Sequence, residues 1–188
     1  GMGSTGGNLQ IIKLDHNPLG DDGANILAQT LGSNSQIQIL SLTYCQIGVA
    51  GAQGLFEIII YQNSKILELG LTGNPLLNEG ATKIFQGLSC AKTLTTIYIS
   101  DCQFDVSEEM LATMENCMKS NLVLAKYDIK HNTIEDAGIV KLTELLKVYR
   151  HVQLIALSEW IRSEVIEAFN EAMTANKPAK GKKGKKKK

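Results

Sequence analysis

The sequence lacks a long apolar run and any close pairing of cysteines. No stretch of about eighteen apolar residues could span a bilayer, and the start, GMGSTGGN, has no apolar segment that could act as a secretory signal. The four cysteines lack the CxxC spacing of zinc sites, and four thiols in 188 residues do not indicate a disulfide-dependent scaffold. We therefore expect no membrane span, reduced thiols and a location in the cytoplasm, with the nucleus as the alternative.

Acidic residues are absent from the C-terminal end. Residues 177–188, KPAKGKKGKKKK, hold eight of the 19 Lys and Arg, leaving 11 basic against 19 acidic residues elsewhere, a net charge of −8. This composition predicts a disordered basic tail on an acidic domain. The tail either keeps the protein soluble or binds an anionic surface, such as an acidic protein tail, nucleic acid or an acidic membrane leaflet. The candidate anion-binding residues are Lys182, Lys183, Lys185, Lys186, Lys187 and Lys188.

A repeated pattern fills most of the remaining chain. The frame L-x-x-L-x-L-x-x-N/C-x-L, followed four residues later by Gly in most copies, fits five times. LDHNPLGDDG (14–23) and LTGNPLLNEG (71–80) are the same turn in the first and third copies, whereas the fourth has Glu108 where Gly is expected. The copies begin at residues 9, 37, 66, 94 and 124, so they are 28 to 30 residues apart, and an imperfect sixth copy begins at 152.

The pattern of each copy predicts a strand, a turn and a helix. The alternation x-L-x-L-x predicts a short strand that buries its leucines and presents the intervening residues on the other face. After the turn, apolar residues recur at helical spacing. The turn carries what we call the ladder residue, whose buried side chain can bond to neighbouring backbone groups. The ladder residues are Asn17, Cys45, Asn74, Cys102 and Asn132.

These motifs resemble the leucine-rich repeat family, and their period resembles its ribonuclease-inhibitor-like class. The resemblance implies an α/β solenoid, a horseshoe arc with parallel strands on the concave face and helices on the convex face. We predict a leader resembling a tag remnant at 1–7, a repeat domain over 8–176 and a disordered tail at 177–188. The domain would hold five repeats and a C-terminal capping unit at about 151–176, where Trp160 replaces the ladder residue. No matching cap precedes Leu9, so we expect the C-terminal part of a longer repeat protein.

No residues have the pattern of a catalytic, metal or cofactor site. His16 and His131 occupy the same repeat position and would lie four strands apart, roughly 19 Å, too far to share a metal ion. The glycines of LTGNPLLNEG lack the following Lys-Ser/Thr of a phosphate loop. We predict a non-enzymatic protein with no metal and no cofactor.

The concave strand face is the predicted binding surface for a protein partner. Tyr44 and Tyr98 offer rigid aromatic area between charges of both signs, a mixture that protein interfaces favour. For any single residue, the alternative is a solvated strand face without a partner. The predicted partner-binding residues are Lys13, Asp15, His16, Tyr44, Tyr98, Asp101, Lys126, Asp128, Lys130 and His131.

Two other functions remain as alternatives. The Ran GTPase-activating protein stimulates GTP hydrolysis with a similar repeat architecture, which requires a donor such as Arg or Asn on a phosphate. The only arginines here, Arg150 and Arg162, lie near the C-terminal end, and that family's acidic tail is replaced by a basic one. Nucleic-acid binding through the tail alone is opposed by the net charge of −8 on the rest of the chain.

Overall fold

Strands and helices alternate along the chain as the repeats predict. The computed structural model describes residues 9–31, 36–61, 64–158 and 163–178. Within these residues, six strands form one parallel sheet in the order of the sequence, with a helix after each strand. This arrangement confirms the predicted repeat solenoid. The elements are β1 (Ile11–Lys13), α1 (Gly20–Leu31), β2 (Ile39–Ser41), α2 (Val49–Ile60), β3 (Glu68–Gly70), α3 (Leu77–Cys90), β4 (Thr96–Tyr98), α4 (Glu108–Ser120), β5 (Lys126–Asp128), α5 (Asp136–Val148), β6 (Leu154–Ala156) and α6 (Ser163–Asn176).

The middle residue of every strand lies in the core. The parallel register aligns these residues across the sheet, and each is at most 6% exposed. Their neighbours along each strand point to the opposite face because side chains alternate in a strand. The predicted inward positions are therefore confirmed. The aligned residues are Ile12, Leu40, Leu69, Ile97, Tyr127 and Ile155.

The first three helices pack closely because glycines line their contacts. A Cβ added to Gly51 of α2 would lie 3.0 Å from the Cα of Asp21 in α1, and one added to Gly80 of α3 would lie 3.3 Å from the Cβ of Ala52. Contacts this short leave little room for a larger side chain. The repeated glycine of the sequence frame is thus a close-packing position.

The fourth repeat departs from this arrangement. Its Glu108 is the first residue of α4, whereas Gly80, at the same position of the frame, is the fourth residue of α3. The turn before α4 instead forms an isolated β-bridge to Thr133, and the Ser107 hydroxyl caps the helix by accepting from the Met110 N–H at 3.4 Å. A Cβ on Gly138 of α5 would consequently meet the Val106 carbonyl at 3.2 Å. The starts of α4 and α5 are separated by a groove.

The C-terminal unit closes the sheet with β6 and α6. Phe169 is buried, as predicted for a capping helix, and the Asn176 amide donates to the carbonyls of Leu146 at 2.8 Å and Val152 at 2.9 Å. Arg150 Nη1 donates to Asn176 Oδ1 at 3.1 Å. No helix among the described residues is long and apolar enough to cross a membrane. The predicted leader, Trp160, Arg162 and the lysines after Pro178 lie outside the described residues.

Candidate functional site

One row of residues follows the strands at the point where each chain segment turns toward its helix. Its members, one from each of the first five repeats, have φ angles between 53° and 73°, the left-handed region that side chains larger than Gly occupy at a cost. Their backbone N–H groups donate to the next repeat, which offsets this cost. We call these residues the turn row: His16, Tyr44, Gly73, Asp101 and His131.

Tyr44 is the best fixed exposed side chain of the turn row. Its ring stacks on His16 with 5.2 Å between ring centroids, and its hydroxyl donates to Asp101 Oδ2 at 3.2 Å. The ring crosses the third repeat, where a Cβ on Gly73 would overlap it. Hydrogen bonding to Asp101, with the charge of that carboxylate, raises the pKa of Tyr44. The phenol therefore remains a neutral donor at physiological pH, and 45% of the residue stays exposed.

The turn row shows why the third repeat needs glycine. Gly73 has φ of 73° and lies directly beneath the Tyr44 ring. Any side chain there would both strain the backbone and displace the ring from Asp101. The sequence indicated His16, Tyr44 and Asp101 as separate binding residues. It did not indicate that the small Gly73 lets the Tyr44 ring contact both His16 and Asp101.

Nearer the strands, Asp15 and Asp128 accept hydrogen bonds from neighbouring repeats. Asp15 Oδ1 accepts from the Ser41 hydroxyl at 2.6 Å and from the Thr43 N–H at 2.9 Å. Burial alone would raise the pKa of Asp15, but these hydrogen bonds lower it below its ordinary value. Asp128 Oδ1 likewise accepts from the Ser100 hydroxyl at 2.6 Å. Both carboxylates are thus partly used in bonds between neighbouring repeats.

The other predicted partner-binding residues are an exposed tyrosine and three lysines on or beside the strands. Tyr98 on β4 is 39% exposed, and its partial burial, together with Glu68 and Asp128, raises its pKa. Lys13 and Lys126 are exposed on their strands. Lys130 lies 3.8 Å from Asp128 Oδ2, which makes a solvent-exposed ion pair of little energetic value.

Beneath the turn row, the ladder residues connect successive repeats. Asn74 Nδ2 donates to the carbonyls of Leu42 and Leu71, while its Oδ1 accepts from the N–H groups of Cys45 and Ile47. Asn132 repeats this pattern in the fifth unit. The predicted role of the ladder amide is confirmed for both.

For Asn17 the predicted bonding to backbone groups is confirmed, but the predicted burial is wrong because the residue is exposed. Among the described residues, its amide donates only to the carbonyls of Leu14 and Asp15 in its own repeat. Asn74 and Asn132 are buried because they reach back to a preceding described repeat, and Asn17 has no such repeat in the described chain. Its position in the sequence frame is the same, but its surroundings differ.

The ladder cysteines are donors rather than reactive groups. Cys45 Sγ donates to the Leu14 carbonyl at 3.1 Å, and Cys102 Sγ donates to the Leu71 carbonyl at 3.3 Å. Burial raises the pKa of Cys45, and it raises the pKa of Cys102 to about 12. Thiols in this state are neither nucleophiles nor metal ligands at neutral pH. All four cysteines are free.

The histidines do not form a metal site. His16 in the first repeat and His131 in the fifth belong to strands separated by three others in the sheet. No group of three or more potential ligands that could hold a metal lies within the described residues. Arg150 donates to Asn176 of α6. The candidate tail lysines, from Lys182 onward, lie outside the described residues.

Sequence comparisons agree with this architecture. The model of the "Leucine Rich repeat" family matches residues 8–28 and 33–56. The chain is 27% identical to ribonuclease inhibitor from Sus scrofa over 173 residues, covering 90% of this chain and 37% of the relative. It is 31% identical over 133 residues to the human NACHT, LRR and PYD domains-containing protein 14, covering 70% of this chain and 12% of that protein. The chain therefore spans about a third of the ribonuclease inhibitor it matches.

Solved structures show the same fold at low sequence identity. Leiomodin-1 actin-binding site 2 superposes with a TM-score of 0.67 at 10% identity, covering 82% of this chain and 88% of that one. The tropomodulin C-terminal domain of Caenorhabditis elegans superposes with a TM-score of 0.52 at 12% identity, covering 89% and 84%. The family match and the ribonuclease inhibitor relatives, together with the sequence frame and the parallel sheet, show that the chain belongs to the leucine-rich repeat family and is similar to its ribonuclease-inhibitor-like class.

Proposed function

We propose that this chain is a non-enzymatic interaction module that binds a protein partner on its concave face. The observation that carries the proposal is the fixed Tyr44 ring, held by His16 on one side and by Asp101 on the other. A rigid, half-exposed aromatic group loses little conformational entropy on binding and is a favoured anchor in protein interfaces. Leucine-rich repeat proteins typically serve as interaction modules, which agrees with this function.

The surroundings of Tyr44 suit a partner of mixed polarity. Lys13 and Lys126 supply exposed positive charges, while Asp101 supplies a carboxylate beside the ring. Such charges mainly orient a partner and set its association rate. Tyr98 is a second aromatic contact two strands from Tyr44. We further propose a reducing compartment, the cytoplasm or the nucleus, in keeping with four free cysteines.

A quantitative affinity purification with matched variants tests the proposal. Tyr44→Ala removes the ring, Tyr44→Phe keeps the ring without its bond to Asp101, and Lys83→Ala changes the helical face. We expect a specific partner to be retained by the wild type and by Lys83→Ala, and to be lost with Tyr44→Ala. For the purified pair, titration calorimetry should show a loss of about 1 to 3 kcal/mol for Tyr44→Ala and less for Tyr44→Phe.

The opposite pattern would refute the concave-face assignment. If Lys83→Ala weakens binding while Tyr44→Ala and Tyr98→Ala do not, the partner contacts the helices. Thermal unfolding of each variant shows whether lost binding merely reflects lost folding. Because Tyr44 and Tyr98 are exposed, we expect their substitutions to change stability little.

A further inference from the structure

The groove between α4 and α5 is a second surface, separate from the concave face. It has a volume of ≈ 950 Å³ and runs between the turn before α4 and the start of α5. Val106, Leu111 and Ile134 give it an apolar floor. It exists because α4 begins late and Gly138 packs on the turn instead of on a helix. The sequence pattern did not predict this groove. The sequence feature that could have indicated it is the fourth repeat, which is 30 residues long and lacks the frame glycine.

The groove is strongly acidic. Four carboxylates line it, those of Asp105, Glu108, Glu115 and Glu135, against the single cation Lys141. The Lys141 ammonium already lies 3.8 Å from Glu144 Oε2. Within the described part of the chain, none of the four lining carboxylates forms an ion pair. A concave acidic site with an apolar floor favours a basic ligand.

A neighbouring groove provides a natural comparison. Between α3 and α4 the volume falls to ≈ 310 Å³, and the lining contains Glu79 and Glu109 with Lys83. There the helices are closer and the carboxylates are half as many. Basic ligands should therefore prefer the groove between α4 and α5.

We propose that this groove binds the chain's own Lys-rich segment, residues 177–188. That segment holds eight of the 19 basic residues of the protein and no acidic residue. Its lysines can neutralise the lining carboxylates, while their aliphatic stems can lie on the apolar floor. The proposal is independent of partner binding on the concave face.

The segment is long enough to reach the groove. Its root is fixed at Asn176, whose amide contacts the Leu146 carbonyl near the end of α5. Glu135, the groove carboxylate at the start of α5, lies eleven residues earlier, roughly 17 Å along the helix axis. Crossing from α6 over α5 adds roughly 10 to 20 Å. Residues 177–188 can extend to about 40 Å, which covers this path.

Binding in this way makes the tail and the groove regulate each other. While the lysines lie on the groove, they are withheld from external anions. An anionic surface that attracts the tail therefore exposes the groove, and a basic ligand of the groove releases the tail. Both effects weaken with added salt because the contacts are mainly electrostatic.

Carbodiimide crosslinking of the full chain tests the contact directly, since this reagent joins a carboxylate to an adjacent lysine without a spacer. At about 20 mM salt, we expect tail crosslinks to the four groove carboxylates to exceed those to Glu79 and Glu109 by at least about fivefold, and the excess to vanish near about 0.5 M salt. Crosslinks spread evenly over exposed carboxylates would overturn the proposal.

A mixture of isotope-labelled and unlabelled chains must give only crosslinks within one chain. Mixed pairs would assign the tail to a second copy and also overturn it.

Matched charge reversals supply an independent test. Glu108→Lys with Glu135→Lys changes the proposed groove, and Glu79→Lys with Glu109→Lys changes the neighbouring one by the same charge. Both pairs alter carboxylates at helix starts, so their helix-dipole costs are comparable. Because the first pair frees the tail, we expect it to elute from a cation exchanger at clearly higher salt than the control pair.

Equal elution of the two pairs would refute the proposal. If a Lys pair loses its helical circular dichroism, Glu108→Gln with Glu135→Gln and Glu79→Gln with Glu109→Gln give the same comparison with smaller perturbation.

Substituting Gln for six tail lysines of the full chain should reduce the yield of groove crosslinks from the remaining tail lysines at least about fivefold. The six are Lys182, Lys183, Lys185, Lys186, Lys187 and Lys188. Retained crosslinks would show that these six lysines are not the ligand.

Discussion

At the scale of single residues, the surroundings decide what a repeated residue does. Asn17 and Asn74 stand at the same position of the sequence frame, yet one is exposed and the other is 0% exposed with four backbone partners. A buried amide that bonds to two repeats couples them, whereas an exposed amide only shapes its own turn.

This difference predicts unequal costs for the same substitution. Asn74→Ala would leave two buried N–H groups and two buried carbonyls without their side-chain partner, so we expect a loss of about 3 kcal/mol or more in the free energy of unfolding. Asn17→Ala, the matched control, should cost less than about 1 kcal/mol. Urea denaturation monitored by circular dichroism measures both. Similar losses would show that the ladder bonds between repeats contribute little.

We expect His151 to make the stability of the folded chain depend on pH. His151 Nε2 is buried and has no hydrogen-bond partner among the described residues, and burial lowers the pKa of this histidine although a backbone hydrogen bond to Asn121 partly opposes the shift. In the unfolded chain the imidazole binds a proton near pH 6.5, whereas in the folded chain it does so only at lower pH. Between these values the unfolded state binds more protons, so stability rises with pH.

The unfolding free energy should therefore fall as pH drops from about 7.5 through the ordinary His pKa of about 6.5. His151→Gln removes this titration and should flatten that part of the profile. Denaturant titrations at several pH values compare the two proteins, with pH above about 7.5 as the internal control because both side chains are then neutral. An unchanged slope in the variant would mean that other groups cause the pH dependence.

At the scale of elements, helix spacing is set by small residues at the helix starts. Gly51 lets α2 approach α1, and Gly80 lets α3 approach α2. The fourth repeat lacks this glycine, begins its helix later and leaves a groove. Because α4 begins only at Glu108, Gly138 of α5 meets the turn at Val106 instead of a helix, and a groove remains between α4 and α5.

Gly51→Ala tests this account by the sign of its effect. In an isolated helix, alanine in place of glycine stabilises by roughly 0.5 to 1 kcal/mol. Here the added methyl would lie 2.7 Å from Ile47 Cγ2 and 3.0 Å from the Asp21 Cα, so we expect a net loss of about 1 to 3 kcal/mol. Thermal and chemical unfolding measure the change. A stabilised variant would show that the contact between α1 and α2 relaxes easily.

At the scale of the whole molecule, the core is a single column of side chains that runs through all six strands. Each repeat buries its apolar face only against its neighbours, so stability depends on stacking. A defect in a middle repeat should consequently weaken the units on both sides.

Leu69→Ala tests this dependence because Leu69 is 1% exposed at the centre of β3. We expect a loss of about 2 to 5 kcal/mol, since the cavity cannot be filled by neighbouring strands fixed in register. Leu154→Ala, at a 38% exposed position of β6, is the control and should cost far less. Hydrogen exchange should show weakened protection in the repeats flanking β3. A loss below about half a kcal/mol at Leu69 would contradict the column of packed residues.

The repeat pattern, the inward residues of each strand and the solenoid could be predicted from the sequence alone, because a hydrophobic pattern repeated in register leaves only stacking as a way to bury it. The sequence also indicated Tyr44 and Asp101 as outward residues. Their hydrogen bond across Gly73, the exposure of Asn17 and the acidic groove between α4 and α5 could be found only in the folded chain. These features depend on distances between repeats that are 28 to 30 residues apart in the chain, and a local pattern carries no information about such distances until the repeats are packed.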